Sequence, residues 1–184
     1  MLINSFSSNN QLSYFEIFHQ KDGFILIWKK ETPKTFQKRE FEKIEVLNAI
    51  KHLGYLEDEF YYENKKPKLP NNYISISHSE GWFAIYVSST PVGIDIEPLK
   101  NKISRVKSYF MNSSEIKQYC CLNEIQLIWC AKEAFYKLME GQITDYQKDI
   151  TITKISSLYI IIQFANKTTK LEYKKIGNTY VVWC

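Results

Sequence analysis

In the run "PVGIDIEPLK" (91–100), Asp95 and Glu97 stand two residues apart, alternating with Ile94 and Ile96. Side chains alternate across a strand, so the two acids share one face while Val92, Ile94 and Ile96 take the other. Two like charges on one face repel and lose hydration unless something positive meets them. A divalent cation does this well. Mg2+ takes hard oxygen ligands in octahedral geometry, commonly a few carboxylates with water and phosphate oxygens. A third carboxylate, Glu133, lies in the helical segment "WCAKEAFYK" (129–137). Its neighbour four residues on is Lys137, and alone the two read as an ordinary surface pair. Set beside Asp95 and Glu97, Glu133 completes a half-open metal site: Asp95, Glu97 and Glu133 for Mg2+ (Mn2+ as the alternative), with the remaining positions open to a phosphate.

A second cluster of polar groups lies in "ISISHSEGW" (74–82), where Ser77, His78 and Ser79 precede a Glu-Gly turn. A lone histidine at a strand end is usually structural. Here it sits in a polar turn with hydroxyl donors, the kind of group that holds phosphate oxygens.

These side chains need elements to position them. "FILIW" (24–28) reads as a strand. From about Thr35 to Leu53 the pattern turns helical, with Phe41, Ile44, Leu47 and Ile50 as the apolar stripe and Gly54 at the C-terminal cap. "YYENKKPKLPNN" (61–72) reads as a turn-rich loop, and "YISISH" with "WFAIYVS" as a hairpin. After Pro98 the texture is helical. Asn112 caps "NSSE" with Glu115 three residues on, and "NEIQ" (123–126) repeats that pattern at the start of a stronger helix. That helix runs to about Met139 with Leu127, Ala131, Ala134, Phe135 and Leu138 as its core stripe. The last third alternates as several antiparallel strands. The expectation is an α+β fold of two similar halves, 1–91 and 92–184, each a long helix packed on an antiparallel sheet.

The 184 residues suffice for one large domain or two small, closely packed halves. A net charge of +4 is mild and spread out, which does not point to nucleic acid but suits an anionic substrate or acidic partner. Cys120, Cys121, Cys130 and Cys184 show neither a disulfide framework nor zinc spacing. With no N-terminal signal pattern and no membrane-length apolar run, a soluble, cytoplasmic chain with reduced thiols is expected.

The ordered set "NKKPKL", "ISISHSEGW", "VGIDIE", "SYFMNSSE" and "WCAKEAFYK" resembles the 4'-phosphopantetheinyl transferase superfamily, in particular its larger Sfp-type enzymes. The likeness extends from about Tyr61 to Met139. It implies pseudo-symmetric halves with the active site in the cleft between them, and a chain of this length acting as a monomer. It also implies holo-acyl-carrier-protein synthase chemistry. A serine hydroxyl of an apo acyl or peptidyl carrier protein attacks the β-phosphorus of coenzyme A. The 4'-phosphopantetheine arm moves to the serine and 3',5'-ADP leaves.

On this resemblance Lys137 supports the developing charge, His78 with Ser77 holds a pyrophosphate oxygen, and Lys66 with Pro67 lines the nucleotide end of CoA. Lys132 is a further phosphate or carrier contact. The serine proton goes to Glu133 or to a metal-bound hydroxide. The first helix departs from the family: Arg39 stands near its start, but Glu45 and Val46 lie where a second 3'-phosphate arginine belongs, leaving Lys38, Lys43 or Lys51 to substitute. The partner implied is an acidic carrier protein, with Lys100, Lys102, Arg105 and Lys107 as a docking patch. A metal-dependent hydrolase of the same linkage, or a non-catalytic CoA- or carrier-binding module, are the competing readings.

Overall fold

The computed structural model describes residues 13–184, and two compact units divide between Pro91 and Val92. Residues 1–12 of the expected N-terminal half lie outside the described residues.

The N-terminal unit begins with an antiparallel pair, β1 (Tyr14–Gln20) and β2 (Gly23–Lys29), followed by α1 (Lys38–His52). A short hairpin of β3 (Tyr61–Glu63) and β4 (Lys66–Lys68) precedes the hairpin of β5 (Tyr73–Ser79) and β6 (Trp82–Ser88). The main sheet has the order β1-β2-β6-β5. Trp28, Leu26, Phe83, Ile85 and Ile74 from its strands share a core with Phe41, Val46, Ala49 and Ile50 of α1. Glu80 and Gly81 turn the β5–β6 hairpin at positive φ, 50° and 81°, the two-residue turn whose twist matches antiparallel strands.

Three local expectations change here. The segment read as the loop 61–72 contains the β3–β4 hairpin, turned by Asn64 and Lys65 at φ of 50° and 66°. Pro67 fits because a two-stranded ribbon leaves ring positions that donate no ladder bond. Helix α1 starts at Lys38 rather than Thr35, and its buried face is rotated from the expected stripe. Ile44 is exposed, whereas Glu45 is buried and paired with Lys30 at 2.7 Å. A buried ion pair inside an apolar face defeats a periodicity argument that counts every charge as surface. Strand β1, absent from the sequence reading, carries Phe15 and Ile17 onto the core face at the sheet edge.

The C-terminal unit runs β7 (Ile94–Pro98), α2 (Ile103–Val106), α3 (Ser113–Gln118), α4 (Leu122–Leu138), β8 (Ile150–Ile155), β9 (Tyr159–Phe164), β10 (Lys167–Ile176) and β11 (Thr179–Trp183). Its antiparallel sheet has the order β7-β11-β10-β9-β8. Each unit thus joins one long helix to an antiparallel sheet. Leu127, Ala131, Ala134 and Phe135 of α4 meet Ile152, Ile160, Ile162, Leu171 and Val182 of the sheet. Asn112 caps α3 as expected, accepting from the Ser114 and Glu115 backbone N–H groups, while Glu115 accepts from the Asn112 N–H at 2.8 Å. The cap of α4 lies two residues earlier than expected, at Cys121, whose N–H donates to Glu124 at 3.2 Å. Asn123 instead accepts from the Tyr180 hydroxyl, and Gln126 from the Lys100 N–H, both at 3.0 Å.

Gly93 sets the distance between β7 and α4. A Cβ there would stand 1.9 Å from the Ala134 carbonyl oxygen and 2.9 Å from the Leu138 nitrogen, both backbone atoms that cannot turn aside. Gly93→Ala is therefore expected to push α4 off the strand and lower stability by about 1–3 kcal/mol, as overpacking does. Denaturant unfolding checks this; an unchanged midpoint would mean that the helix can shift at no cost.

Candidate active site

Strand β7 places the two acids as its alternation requires. Across the β7–β11 ladder Asp95 stands opposite Val182 and Glu97 opposite Tyr180, both members of the core beneath α4. Asp95 and Glu97 therefore point to the side where α4 packs. The Cys130 thiol of α4 anchors this contact, donating to the Asp95 carbonyl at 3.3 Å. Burial, reinforced by the Asp95 charge, pushes that thiol well up, so it stays protonated and acts as a donor only.

Each carboxylate has a partner of its own. Lys137, one helical turn beyond Glu133, turns its ammonium to β7 and donates to Asp95 Oδ1 at 2.8 Å and to the Ile94 carbonyl at 2.9 Å. Lys137 thus bonds β7 instead of forming the ordinary surface pair with Glu133 that the helix taken alone suggests. Lys100 meets Glu97 at 2.5 Å. Glu133 Oε1 accepts from the Tyr146 hydroxyl at 2.7 Å. Burial pushes the Glu133 carboxyl upward, the Tyr146 bond opposes this, and the charges of Asp95 and Glu97 add to the rise while Lys137 counters it. Glu133 on α4 thus feels the charges of both acids of β7.

Among the described residues, no group of three or more His, Cys, Asp or Glu is gathered into a ready-made metal cage. The donors are of the kind a hard cation takes, three carboxylates on facing elements, two of which now hold lysine ammonium groups that a cation would have to share or displace. Asp95, Glu97 and Glu133 are the residues that would hold the ion.

Lys132 does not belong to this set. Its ammonium is fully buried and donates to Glu115 at 2.8 Å and to the carbonyls of Phe110, Ile150 and Tyr146 at 2.7, 2.9 and 3.0 Å. Three N–H bonds meet four acceptors inside the protein, so nothing is left for a phosphate or a carrier. The expectation for Lys132 as an outer contact is corrected: the residue ties α3, α4 and the approach to β8 together. Sequence adjacency to Glu133 concealed this, because neighbouring helix residues point in different directions. The counter-ion Glu115 was legible only as a cap; its second bond, from the Ile152 N–H at 2.6 Å, lies 37 residues away.

In the N-terminal unit, His78 lies within β5 rather than in the turn, opposite Phe83. It faces α1, with Nδ1 3.4 Å from Glu42 Oε1. Ser77 is buried and, one residue away, must point to the opposite face of the strand. The two side chains therefore cannot grip the same phosphate oxygen, and that joint assignment is withdrawn. His78, exposed and beside an acid, keeps a polar edge available. Lys66 and Pro67 sit half-buried on β4, and Arg39 is exposed on the first turn of α1. Tyr146 and Glu42 had no sequence signal, since each reaches its partner from a separate element.

Residues 91–182 match the model of the 4'-phosphopantetheinyl transferase superfamily, half of the chain and all of the β7–α4 site. The chain belongs to this superfamily. A 4'-phosphopantetheinyl transferase of Bacillus subtilis is 32% identical over 77 residues, which are 39% of this chain and 34% of that relative. The match thus spans about a third of the curated relative's length. As in the sequence reading, the superfamily stretch contains "VGIDIE" and "WCAKEAFYK" together, so β7 and α4 are the part of the chain on which membership rests. No helix among the described residues is long and apolar enough to cross a membrane.

Proposed function

We propose that this superfamily member transfers the 4'-phosphopantetheine arm of coenzyme A to a serine of an apo acyl or peptidyl carrier protein, releasing 3',5'-ADP. The observation that carries the proposal is the placing of Asp95 and Glu97 on the α4 side of β7, with Glu133 on α4 itself, inside the matched segment. The serine Oγ forms the new bond to the β-phosphorus, the bond from that phosphorus to the bridging oxygen breaks, and the leaving phosphate keeps the electron pair.

A bound Mg2+ would neutralise the pyrophosphate and the charge gathering on the leaving group. The rest falls to the chain. Lys137, held on the Asp95 carboxylate, offers a cation to the same developing charge. Glu133 is the chain's own acceptor for the serine proton, since Tyr146 engages one of its oxygens at 2.7 Å and leaves the other to the site. On the family resemblance, Lys66, Pro67 and His78 bind the nucleotide and phosphate end of CoA, and Arg39 meets the 3'-phosphate from α1. The Sfp-type subclass and a monomeric, cytoplasmic protein remain part of this proposal.

An acidic partner is supported by the surface around α2. Lys102 and Arg105 are exposed, next to Val106 at 42% and Tyr109 at 78% exposure. A basic rim around apolar side chains suits an acidic carrier helix with an apolar residue to bury.

The test follows 3',5'-ADP released from CoA with and without an apo carrier protein. Release that requires the carrier supports the transferase. Release without it indicates a hydrolase, and no release with several carriers contradicts both.

A further inference from the structure

We propose that Tyr146 is a positioning residue for Glu133, fixing the carboxylate for its metal and proton work; this rests on the reading of Glu133 as a site residue. The segment between α4 and β8 is braced at several points. The Asp149 carboxylate accepts from the Thr144 and Asp145 N–H groups at 2.8 and 2.9 Å and from the Thr144 hydroxyl at 3.0 Å. Asp145 in turn accepts from the Gln147 N–H at 2.9 Å and the Lys148 N–H at 3.2 Å. The Gln147 side chain bonds the Ser108 carbonyl.

The backbone of Tyr146 itself is pinned from inside, its carbonyl accepting from the buried Lys132 at 3.0 Å. Its ring lies between two aromatic side chains of α4, 6.0 Å from Trp129 and 5.7 Å from Tyr136 by centroid. Both ends of the residue are thereby fixed, and the hydroxyl donates to Glu133 Oε1 at 2.7 Å.

A glutamate on a helix has three side-chain torsions to order before it can serve a site with the acids of β7. A donor on one oxygen selects one rotamer and leaves the other oxygen for the site. Hydrogen bonds to ligating carboxylates serve this orienting purpose generally, and losing one costs about tenfold to a hundredfold in metal affinity or activity. The buried pair of Lys132 and Glu115 thus acts on the site at one remove, by holding the loop from which Tyr146 reaches Glu133.

The test compares the intact wild-type chain with Tyr146→Phe and Tyr146→Leu, titrating Mn2+ by calorimetry without CoA. Steady-state transfer to a carrier is measured in parallel. Tyr146→Phe keeps the ring between Trp129 and Tyr136 and removes only the hydroxyl. The expected result is Mn2+ affinity about tenfold weaker in both variants, with kcat lowered and the KM for the carrier unchanged. Wild-type affinity in Tyr146→Phe with weakening only in Tyr146→Leu would make Tyr146 a packing residue and overturn the inference. Failure of Mn2+ to bind the wild type would remove the metal reading itself, and this inference with it.

Discussion

Glu133→Gln is expected to lower kcat for phosphopantetheine transfer by on the order of a hundredfold or more, with the fold intact. The substitution keeps the side chain's size and leaves an amide oxygen to accept from Tyr146, whose hydroxyl bonds Glu133 Oε1 at 2.7 Å. What it removes is the charge, and with it an oxygen ligand and a proton acceptor together. Asp95→Asn should cause a loss of the same order for a related reason. Asp95 is buried and its carboxylate holds the Lys137 ammonium at 2.8 Å. Without that charge the lysine is no longer drawn to the site and the ion loses a ligand. Glu133→Gln should melt within a few degrees of the wild type, because it keeps the volume and the Tyr146 bond, whereas Asp95→Asn is expected to melt lower because it weakens the pairing with the Lys137 ammonium. Single-turnover transfer rates and thermal unfolding check the pair. Full activity in either would remove the proposed site.

The second large effect concerns stability. Lys132→Met is expected to cost about 3–5 kcal/mol, the usual consequence of removing one partner of a buried ion pair. The methionine fits the volume, but Glu115, at 1% exposure, loses its counter-ion and the carbonyls of Phe110, Tyr146 and Ile150 lose their donor. Adding Glu115→Leu to this variant should recover only part of the loss. Glu115 also accepts from the Ile152 N–H at 2.6 Å and the Asn112 N–H at 2.8 Å, which the double variant would strand. Urea unfolding of the wild type, single and double variants measures the cycle. A cost below about 1 kcal/mol for Lys132→Met would show that the buried ammonium is dispensable.

What the sequence could reveal followed from how local each signal is. The shared face of Asp95 and Glu97 is a property of one strand, and the β7–β11 register confirms it. The core stripe of α4 and the Asn112 cap are likewise written within a few residues. The β5–β6 hairpin follows from two alternating runs separated by Glu80 and Gly81. The failures are non-local. Lys132 reads as an outward cation beside Glu133 because its carboxylate partner lies 17 residues away in the chain. The pairing of Glu45 with Lys30, 15 residues away, is equally beyond a local pattern. His78 and Ser77, adjacent in the chain, read as one phosphate grip, whereas a strand sends consecutive side chains to opposite faces. Tyr146 carries no signal at all, since its partner is chosen by the path of a loop.

The account stands most directly on one mass spectrum. An apo acyl carrier protein is incubated with this protein, CoA and Mg2+, with an EDTA control and a carrier whose acceptor serine is replaced by alanine. The account predicts that the apo carrier gains the mass of one phosphopantetheine group, and that EDTA or loss of the serine abolishes the gain. An unmodified carrier under these conditions, across several carrier proteins, would contradict it.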